Sequence, residues 1–362
     1  MIEIEIPTLL IDESKVRKNI QRMSQKVRNS GIKFRPHFKT HQSRHIGRIF
    51  KEVGVDSITV SSVSMAEYFS DDWNDILIAF PVNILEAEKI NELAKKVKLS
   101  LLFDQIDQVF ALNNRLQHTC DAFIKIDTGN KRAGIPFDDI TAITELADSL
   151  NSSQNLKLTG LLSHAGQSYL TSDPDEIIDI YKGNLTALSD VRKALSHISN
   201  DLLLSTGDTP TSSIVEDLSG IDELRPGVFV YYDMMMEEIG ACSTDDIAIA
   251  MACPVISKYE ERNEILIYGG AVHFSKEKLV KNNLSYYGAV VKFNNGYNRS
   301  EPVKDTYLYR ISQEHGLIRA SDEFFAAVNV GDVIGILPVH ACLTVDIAAE
   351  IKNTDGNPID RM

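Results

Sequence analysis

The segment Arg35-Pro36-His37-Phe38-Lys39-Thr40-His41 sets one lysine among two histidines and an arginine at the end of an expected strand. An ammonium group in water titrates near ~10.4, and burial beside other positive charge lowers that value and leaves a free amine. A free amine attacks carbonyls, so Lys39 is a candidate covalent hook for an aldehyde cofactor, of which pyridoxal phosphate is the obvious one. The same residue types also make an ordinary basic surface loop, and this segment alone leaves both readings open.

A second cluster, Ser205-Thr206-Gly207-Asp208-Thr209-Pro210-Thr211, offers hydroxyls, a glycine that lets backbone approach a ligand, and a following helix whose free N–H groups attract anions. It reads as a phosphate cradle, or as a plain helix cap, since Ser, Thr, Asp and Gly serve both. A Schiff-base lysine and a phosphate cup on one rim would clamp a pyridoxal phosphate ring between them.

The elements that must carry these residues show in the periodicity. From about residue 15 to about residue 235, helical stretches alternate with short β-branched runs, as in a parallel sheet with crossover helices. The candidate strands are Ile32–Arg35, Ser57–Ser61, Asp75–Phe80, Leu99–Phe103, Ala122–Ile126, Leu158–Leu162, Leu202–Ser205 and Val228–Tyr232. Helices separate them, for instance Pro174–Leu195, and Glu13–Asn29 with apolar Val16, Ile20, Met23 and Val27 precedes the first. The predicted fold class is α/β, a (β/α)8 TIM-type barrel over residues 15–238. An open dinucleotide-binding sheet has no support, because no Gly-x-Gly-x-x-Gly follows the first strand.

Polar clusters fall at the C-terminal ends of these strands, where barrel enzymes keep their chemistry. Lys39 follows strand one, Asp127–Arg132 strand five, His164–Tyr169 strand six, Ser205–Thr211 strand seven, and Tyr232–Asp233 strand eight. After about residue 240 the pattern turns to closely spaced β-rich segments, Glu264–Tyr268, Tyr286–Phe293, Thr306–Ile311 and Val333–Val339. Turn signals at Asn294-Asn295-Gly296 and Asn329-Val330-Gly331-Asp332 agree, and residues 239–362 are expected to form a C-terminal all-β domain. The strand-like run Ile2–Ile11, within residues 1–14, is expected to join that sheet.

Composition bounds the rest. A chain of 362 residues with 43% hydrophobic content holds more than one core, consistent with two domains. The balance of 37 Lys+Arg against 51 Asp+Glu gives −14 without a polybasic run, which argues against nucleic acid and anionic membrane as partners. The N-terminus lacks a signal-peptide pattern and no run approaches the ~20 apolar residues of a membrane span, so a cytoplasmic location is expected. Four scattered cysteines are too few for a disulfide scaffold, and Cys120, Cys242 and Cys253 read as buried or inert thiols.

Six motifs occur in order: Arg35-Pro36-His37-x-Lys39-Thr40-His41, His164-Ala165-Gly166-x-Ser168-Tyr169, Gly207-x-Thr209-Pro210-Thr211, Arg225-Pro226-Gly227, Glu314-His315-Gly316 and His340-x-Cys342. Together, from Pro7 to Cys342, they resemble the D-serine dehydratase and D-threonine aldolase family within the fold type III, alanine racemase-like, pyridoxal phosphate enzymes. The resemblance implies that Lys39 holds the cofactor through a Schiff base. It implies that Gly207, Asp208 and Thr209, with Thr206 at their head, form the phosphate loop. Asp208 stands where the family often has a serine, and is expected to turn away and cap the helix. Tyr169 and Arg132 match cofactor contacts, Arg132 near the ring hydroxyl or the pyridine nitrogen, and His164 and Tyr232 complete that set.

His340 and Cys342 match the family's metal-binding pair. On an extended strand an H-x-C spacing points both side chains to one face, and imidazole plus thiolate suits Zn2+ or another divalent ion. The other reading is a buried strand with a small thiol and a hydrogen-bonded histidine. With two protein ligands the shell would be open, as in a catalytic site. His315 is expected to orient substrate or the metal's water, or to be a satisfied loop histidine. His37 and His41 are expected to tune the lysine or carry protons; Lys39, His37 and His315 are the catalytic candidates.

The implied activity is a pyridoxal phosphate- and metal-dependent lyase acting on β-hydroxy-D-amino acids. In the dehydratase branch Lys39 takes the α-proton, the metal activates the hydroxyl, and a 2-oxo acid and ammonia result. The alternatives are retro-aldol cleavage to glycine and an aldehyde, as in D-threonine aldolase, or an amino-acid racemase, which needs a second base and no metal. A non-catalytic cofactor carrier would lack residues 240–362, and a metal-dependent hydrolase would be colourless. The resemblance also implies a homodimer.

Overall fold

Parallel strands and crossover helices alternate from Lys33 to Leu224 in the computed structural model, which describes residues 3–281, 283–294 and 297–362. Along the hydrogen bonds the strands run Lys33–Phe34, Glu223–Leu224, Leu203–Thr206, Leu156–Leu162, Cys120–Asp127, Lys98–Phe103, Asp75–Pro81 and Ile58–Val60. The two ends meet. His37 bridges Thr59 in parallel, the Phe38 N–H donates to Thr59 O at 2.8 Å, and the Thr59 N–H donates to Pro36 O at 2.9 Å. The sheet thus closes into the eight-stranded barrel.

Local sequence explains the helices that wrap it. Glu13–Asn29 buries Val16, Ile20, Met23 and Val27 along one stripe and carries Glu13 in its first turn and Lys26 and Arg28 in its last, matching the macrodipole. Pro174–Ala194 starts on an Asp173 cap with Pro174 in its first turn, and its buried stripe of Ile177, Tyr181, Leu188 and Val191 includes one polar residue, Asn184.

Two strand expectations need correction. Val228–Tyr232 is not the eighth strand: Val228–Val230 is a 3-10 turn, and the strand is Glu223–Leu224. The first strand is Lys33–Phe34 rather than Ile32–Arg35. Both changes centre on buried charge. Glu223, 1% exposed, accepts from Arg35 Nε at 2.6 Å and from Ser205 Oγ at 2.7 Å, and Arg35 Nη1 also reaches Asp75 at 2.7 Å. Burial works against the Arg35 charge, but Glu223 and Asp75 outweigh it and hold the guanidinium above its ordinary value. A strand carrying Glu223 is stable only with such a partner, which an apolar-run search does not register.

The chain forms two compact units: Arg22–Lys39 with Ile46–Gly227, and Met1–Gln21 with Thr40–His45 and Val228–Arg361. The second is built on an antiparallel sheet in the order Glu264–Tyr268, His315–Arg319, Tyr307–Ile311, Gly288–Val291, Val333–Pro338, Ile249–Tyr259. The long strand Ile249–Tyr259 pairs again with Glu264–Tyr268, closing a barrel, and its first half also pairs with Thr8–Ile11, which lies parallel to Ile351–Asn353. The second unit is thus built on an antiparallel β barrel, and Thr8–Ile11 of the strand-like N-terminal run pairs into its sheet. Ile2 of the expected strand, and Asn295 and Gly296 of the expected turn, lie outside the described residues. No helix among the described residues is long and apolar enough to cross a membrane.

Replacing Glu223 with alanine leaves the Arg35 guanidinium buried with Asp75 alone. The expected loss is about 3 kcal/mol of unfolding free energy, read from urea denaturation followed by circular dichroism. A loss below about 1 kcal/mol would show that the buried pair does not hold the barrel strands together.

Candidate active site

Lys39 closes the barrel segment Arg22–Lys39 and lies in a turn over residues 38–41. Its backbone N–H donates to His37 Nδ1 at 3.3 Å. The backbone here is turned and not extended. Lys39 is exposed, in contrast to the buried amine expected there.

The buried amine is a different one. Lys125, on the strand Cys120–Asp127, is 6% exposed, and desolvation, then the nearby Arg225 and Arg132 charges, lower it to about 7. Sequence reasoning passed over it. The signal was a lysine inside the apolar run Phe123-Ile124-Lys125-Ile126, where a charged residue needs a reason to be buried.

His164 follows the strand Leu156–Leu162, with ring Nδ1 3.1 Å from the Gly207 carbonyl. A carbonyl only accepts, so Nδ1 carries the proton and Nε2 keeps a lone pair. Desolvation first, then the Lys125 charge, with smaller contributions from Arg132 and Lys39, push His164 down to about 3. The ring is neutral at any working pH. Tyr169, in the 3-10 turn Gly166–Leu170, tilts against it with ring centres 6.1 Å apart.

The loop after Leu203–Thr206 is shaped by one close approach. Gly207 has φ +149°, and a β-carbon there would lie 2.5 Å from the Arg225 backbone nitrogen, so only glycine fits. Asp208 caps the helix Thr209–Ile214: its carboxylate accepts the Thr211 N–H at 2.9 Å, the Thr211 hydroxyl at 2.8 Å and the Ser168 hydroxyl at 2.7 Å. The Thr209 N–H donates to Tyr169 Oη at 3.2 Å. Thr206 turns its hydroxyl inward, accepting from Ser163 and Asn184, both at 2.9 Å. Arg225 donates to Ser205 Oγ at 2.7 Å and to Ser163 O at 2.6 Å, and burial lowers it to about 10.

At the start of that helix the hydroxyls of Thr209 and Ser212 are buried and have no hydrogen-bond partner among the described residues. Buried donors seldom go unsatisfied, and a phosphate at a helix start would take both. The barrel rim therefore fits pyridoxal phosphate: an accessible amine on Lys39, a neutral ring at His164, and a hydroxyl-lined cup. Arg132 is exposed on the rim loop.

In the β unit the metal candidates sit differently from expectation. His340 and Cys342 are not on a strand. Val333–Pro338 ends two residues earlier, His340 stands just before the helix Ala341–Ile347 without a side-chain capping bond, and Cys342 is the second residue of that helix. Asp233, 2% exposed, holds this turn by accepting the Ala341 N–H at 2.8 Å, while its other oxygen accepts the Met236 N–H at 2.9 Å. The Cys342 sulfur lies 3.2 Å from the Thr40 hydroxyl. No group of three or more His, Cys, Asp or Glu able to hold a metal occurs among the described residues. An imidazole and a thiol make a donor set for a borderline-soft divalent ion with open positions.

His315 is exposed at the head of His315–Arg319, opposite Tyr268. Tyr232 is buried in the same unit with φ +49°. His41 is fully buried and accepts the Ser43 N–H at 3.1 Å, and desolvation lowers it to about 3, so it does not carry protons as an imidazolium. Asp360 gathers the next residues, accepting the Ser43 hydroxyl at 2.8 Å and the N–H groups of Arg44 at 2.8 Å and His45 at 3.0 Å. Cys120 and Cys253 are buried thiols, and burial pushes Cys120 up to about 12.

The family profile described as alanine racemase, N-terminal domain, matches residues 11–234, and that described as putative serine dehydratase domain matches residues 248–352. The D-serine dehydratase of Dictyostelium discoideum is 29% identical, with 99% of this chain and 95% of that protein covered. The solved D-threo-3-hydroxyaspartate dehydratase from Delftia sp. HT23 superposes with a TM-score of 0.90 at 25% identity, covering 99% of this chain and 98% of that one. A cysteine-to-alanine variant of a D-threo-3-hydroxyaspartate dehydratase, described as the metal-free form, gives a TM-score of 0.89 at 26% identity over 99% of this chain and 98% of that one.

Asp208 supplies a test of the cup's electrostatics. Desolvation outweighs its hydrogen bonds and raises it to about 6. A raised carboxyl adds stability below the unfolded value near ~3.9, and that contribution is lost as pH rises through the folded value. In cofactor-free protein, Asp208→Asn keeps the cap without the charge, and is expected to gain about 2 kcal/mol over the wild type at pH ~8 and nothing at pH ~4. Thermal unfolding across that range checks it, and a difference independent of pH would refute the assignment.

Proposed function

The chain belongs to the alanine racemase N-terminal domain family and is a pyridoxal phosphate-dependent lyase acting on D-amino acids, and we propose that it dehydrates a β-hydroxy-D-amino acid in the manner of a D-serine dehydratase. The products are then a 2-oxo acid and ammonia. The His340–Cys342 donor pair supports a lyase over a racemase, which moves one proton between faces and has no use for a Lewis acid, and the similarity to D-serine dehydratases favours dehydration over aldol cleavage.

Bound pyridoxal phosphate supplies the electron sink for the α-carbon. Lys39, exposed at the rim, would hold the cofactor through Nζ and would be the base for the Cα proton. His164 stays neutral and offers Nε2 as an acceptor while Nδ1 remains on the Gly207 carbonyl. Thr209 and Ser212 would hold the phosphate through their buried hydroxyls. Tyr169 braces the loop through the Thr209 N–H. His340 and Cys342 would hold a divalent ion, zinc by the softness of the thiolate, which supplies Lewis acidity to a substrate hydroxyl. The roles of His37, Arg132, Tyr232 and His315 rest on the resemblance alone.

Incubation with D-serine, D-threonine and D-threo-3-hydroxyaspartate, with and without EDTA, tests this. The expected outcome is oxo acid and ammonia from a D-substrate, abolished by EDTA and restored by zinc; glycine would favour aldol cleavage, and activity confined to L-isomers would overturn the stereochemistry. Lys39→Ala is expected to lose the yellow cofactor absorbance and at least ~10³-fold in kcat/KM. We also propose a homodimer. The exposed apolar residues Phe80 and Leu170, near the C-terminal ends of barrel strands, support it, and a monomer in sedimentation velocity would refute it.

A further inference from the structure

Thr40 follows Lys39 in the chain, is fully buried, and sets its hydroxyl oxygen 3.2 Å from the Cys342 sulfur. That hydroxyl has no other hydrogen-bond partner among the described residues. Between a neutral thiol and a hydroxyl either group can donate. A thiolate that ligates a metal has no proton, so the hydroxyl then has to be the donor. A donor on a ligating sulfur draws electron density from it and fixes its direction, as outer-shell partners do at metal sites.

The sulfur is held from two sides. Asp233 fixes the turn that presents it, through the Ala341 N–H at 2.8 Å, and Thr40 reaches the sulfur itself. A methyl group of similar volume would fill the same space without donating, which separates hydrogen bonding from packing.

Building on the reading that His340 and Cys342 hold a divalent ion, we propose that Thr40 is a positioning residue for that ion: its hydroxyl donates to the Cys342 thiolate, fixing the sulfur and tempering its donation to the metal. By fixing the sulfur and favouring thiolate over thiol, the contact strengthens metal binding despite the tempered donation.

The test uses the full chain loaded with pyridoxal phosphate, stripped of metal and reloaded with cobalt(II), in wild type, Thr40→Val and Thr40→Ser. Equilibrium dialysis against chelator-buffered cobalt gives affinity, and a cobalt-loaded minus metal-free difference spectrum gives the sulfur-to-cobalt charge-transfer band with cofactor absorbance cancelled. Thr40→Val is expected to bind cobalt roughly 10- to 100-fold more weakly and to move the band to lower energy, with Thr40→Ser restoring both. The yellow absorbance stays in all three, since Lys39 is intact. Should Thr40→Val not fold, Thr40→Ala carries the same expectation. Wild-type affinity and an unshifted band in Thr40→Val would overturn the proposal and leave the lyase reading standing. Absence of any sulfur-to-cobalt band in the wild type would overturn the metal pair and this proposal together.

Discussion

A carboxylate with almost no access to water, Glu223, holds the barrel interior together. It takes hydrogen bonds from Arg35 and from Ser205, and Ser205 in turn accepts from Arg225, which donates on to the Ser163 carbonyl. The chain of contacts crosses four neighbouring strand ends, and each group would be expensive to bury by itself. Arg225 backs the Gly207 turn so closely that no side chain fits there. The position of the hydroxyl cup is thus a consequence of how internal charge is balanced.

Burial also decides which groups near the rim are charged. Lys125, near 7, and His164, near 3, both lean toward neutrality, and Asp208, near 6, resists ionisation. Those shifts thin out the local charge that would otherwise collect around a doubly negative phosphate. Lys39 is the lysine that solvent reaches, while the amine with the perturbed titration, Lys125, is buried on the strand Cys120–Asp127. Perturbation and reactivity are here assigned to different residues.

Much of this was legible in the amino-acid order because it is local. The stripe Val16, Ile20, Met23 and Val27 gives the helix Glu13–Asn29 directly, and the Ser/Thr/Gly/Asp run gives the capped loop at Gly207. What was hidden depends on partners far away. Glu223 is an acceptable strand residue only because Arg35 lies across from it, 188 positions distant in sequence. The His340–Cys342 pair reads as strand from the apolar run that precedes it. Its helical turn is set instead by Pro338, which ends the strand, and by Asp233, which accepts the Ala341 N–H from 108 positions away. Lys125 needed knowledge of which strand face points inward, and Asn184 hid inside an apolar stripe that its side chain interrupts only to reach Thr128 and Thr206.

Asp360 carries a practical consequence. Its carboxylate fastens Ser43, Arg44 and His45, the residues that continue from Thr40 and His41. Loss of the segment that carries Asp360, whether by proteolysis or by gene truncation, would release this clasp without touching any residue of the rim. Lost performance after such a cut would then point to a slackened strap and not to missing chemistry.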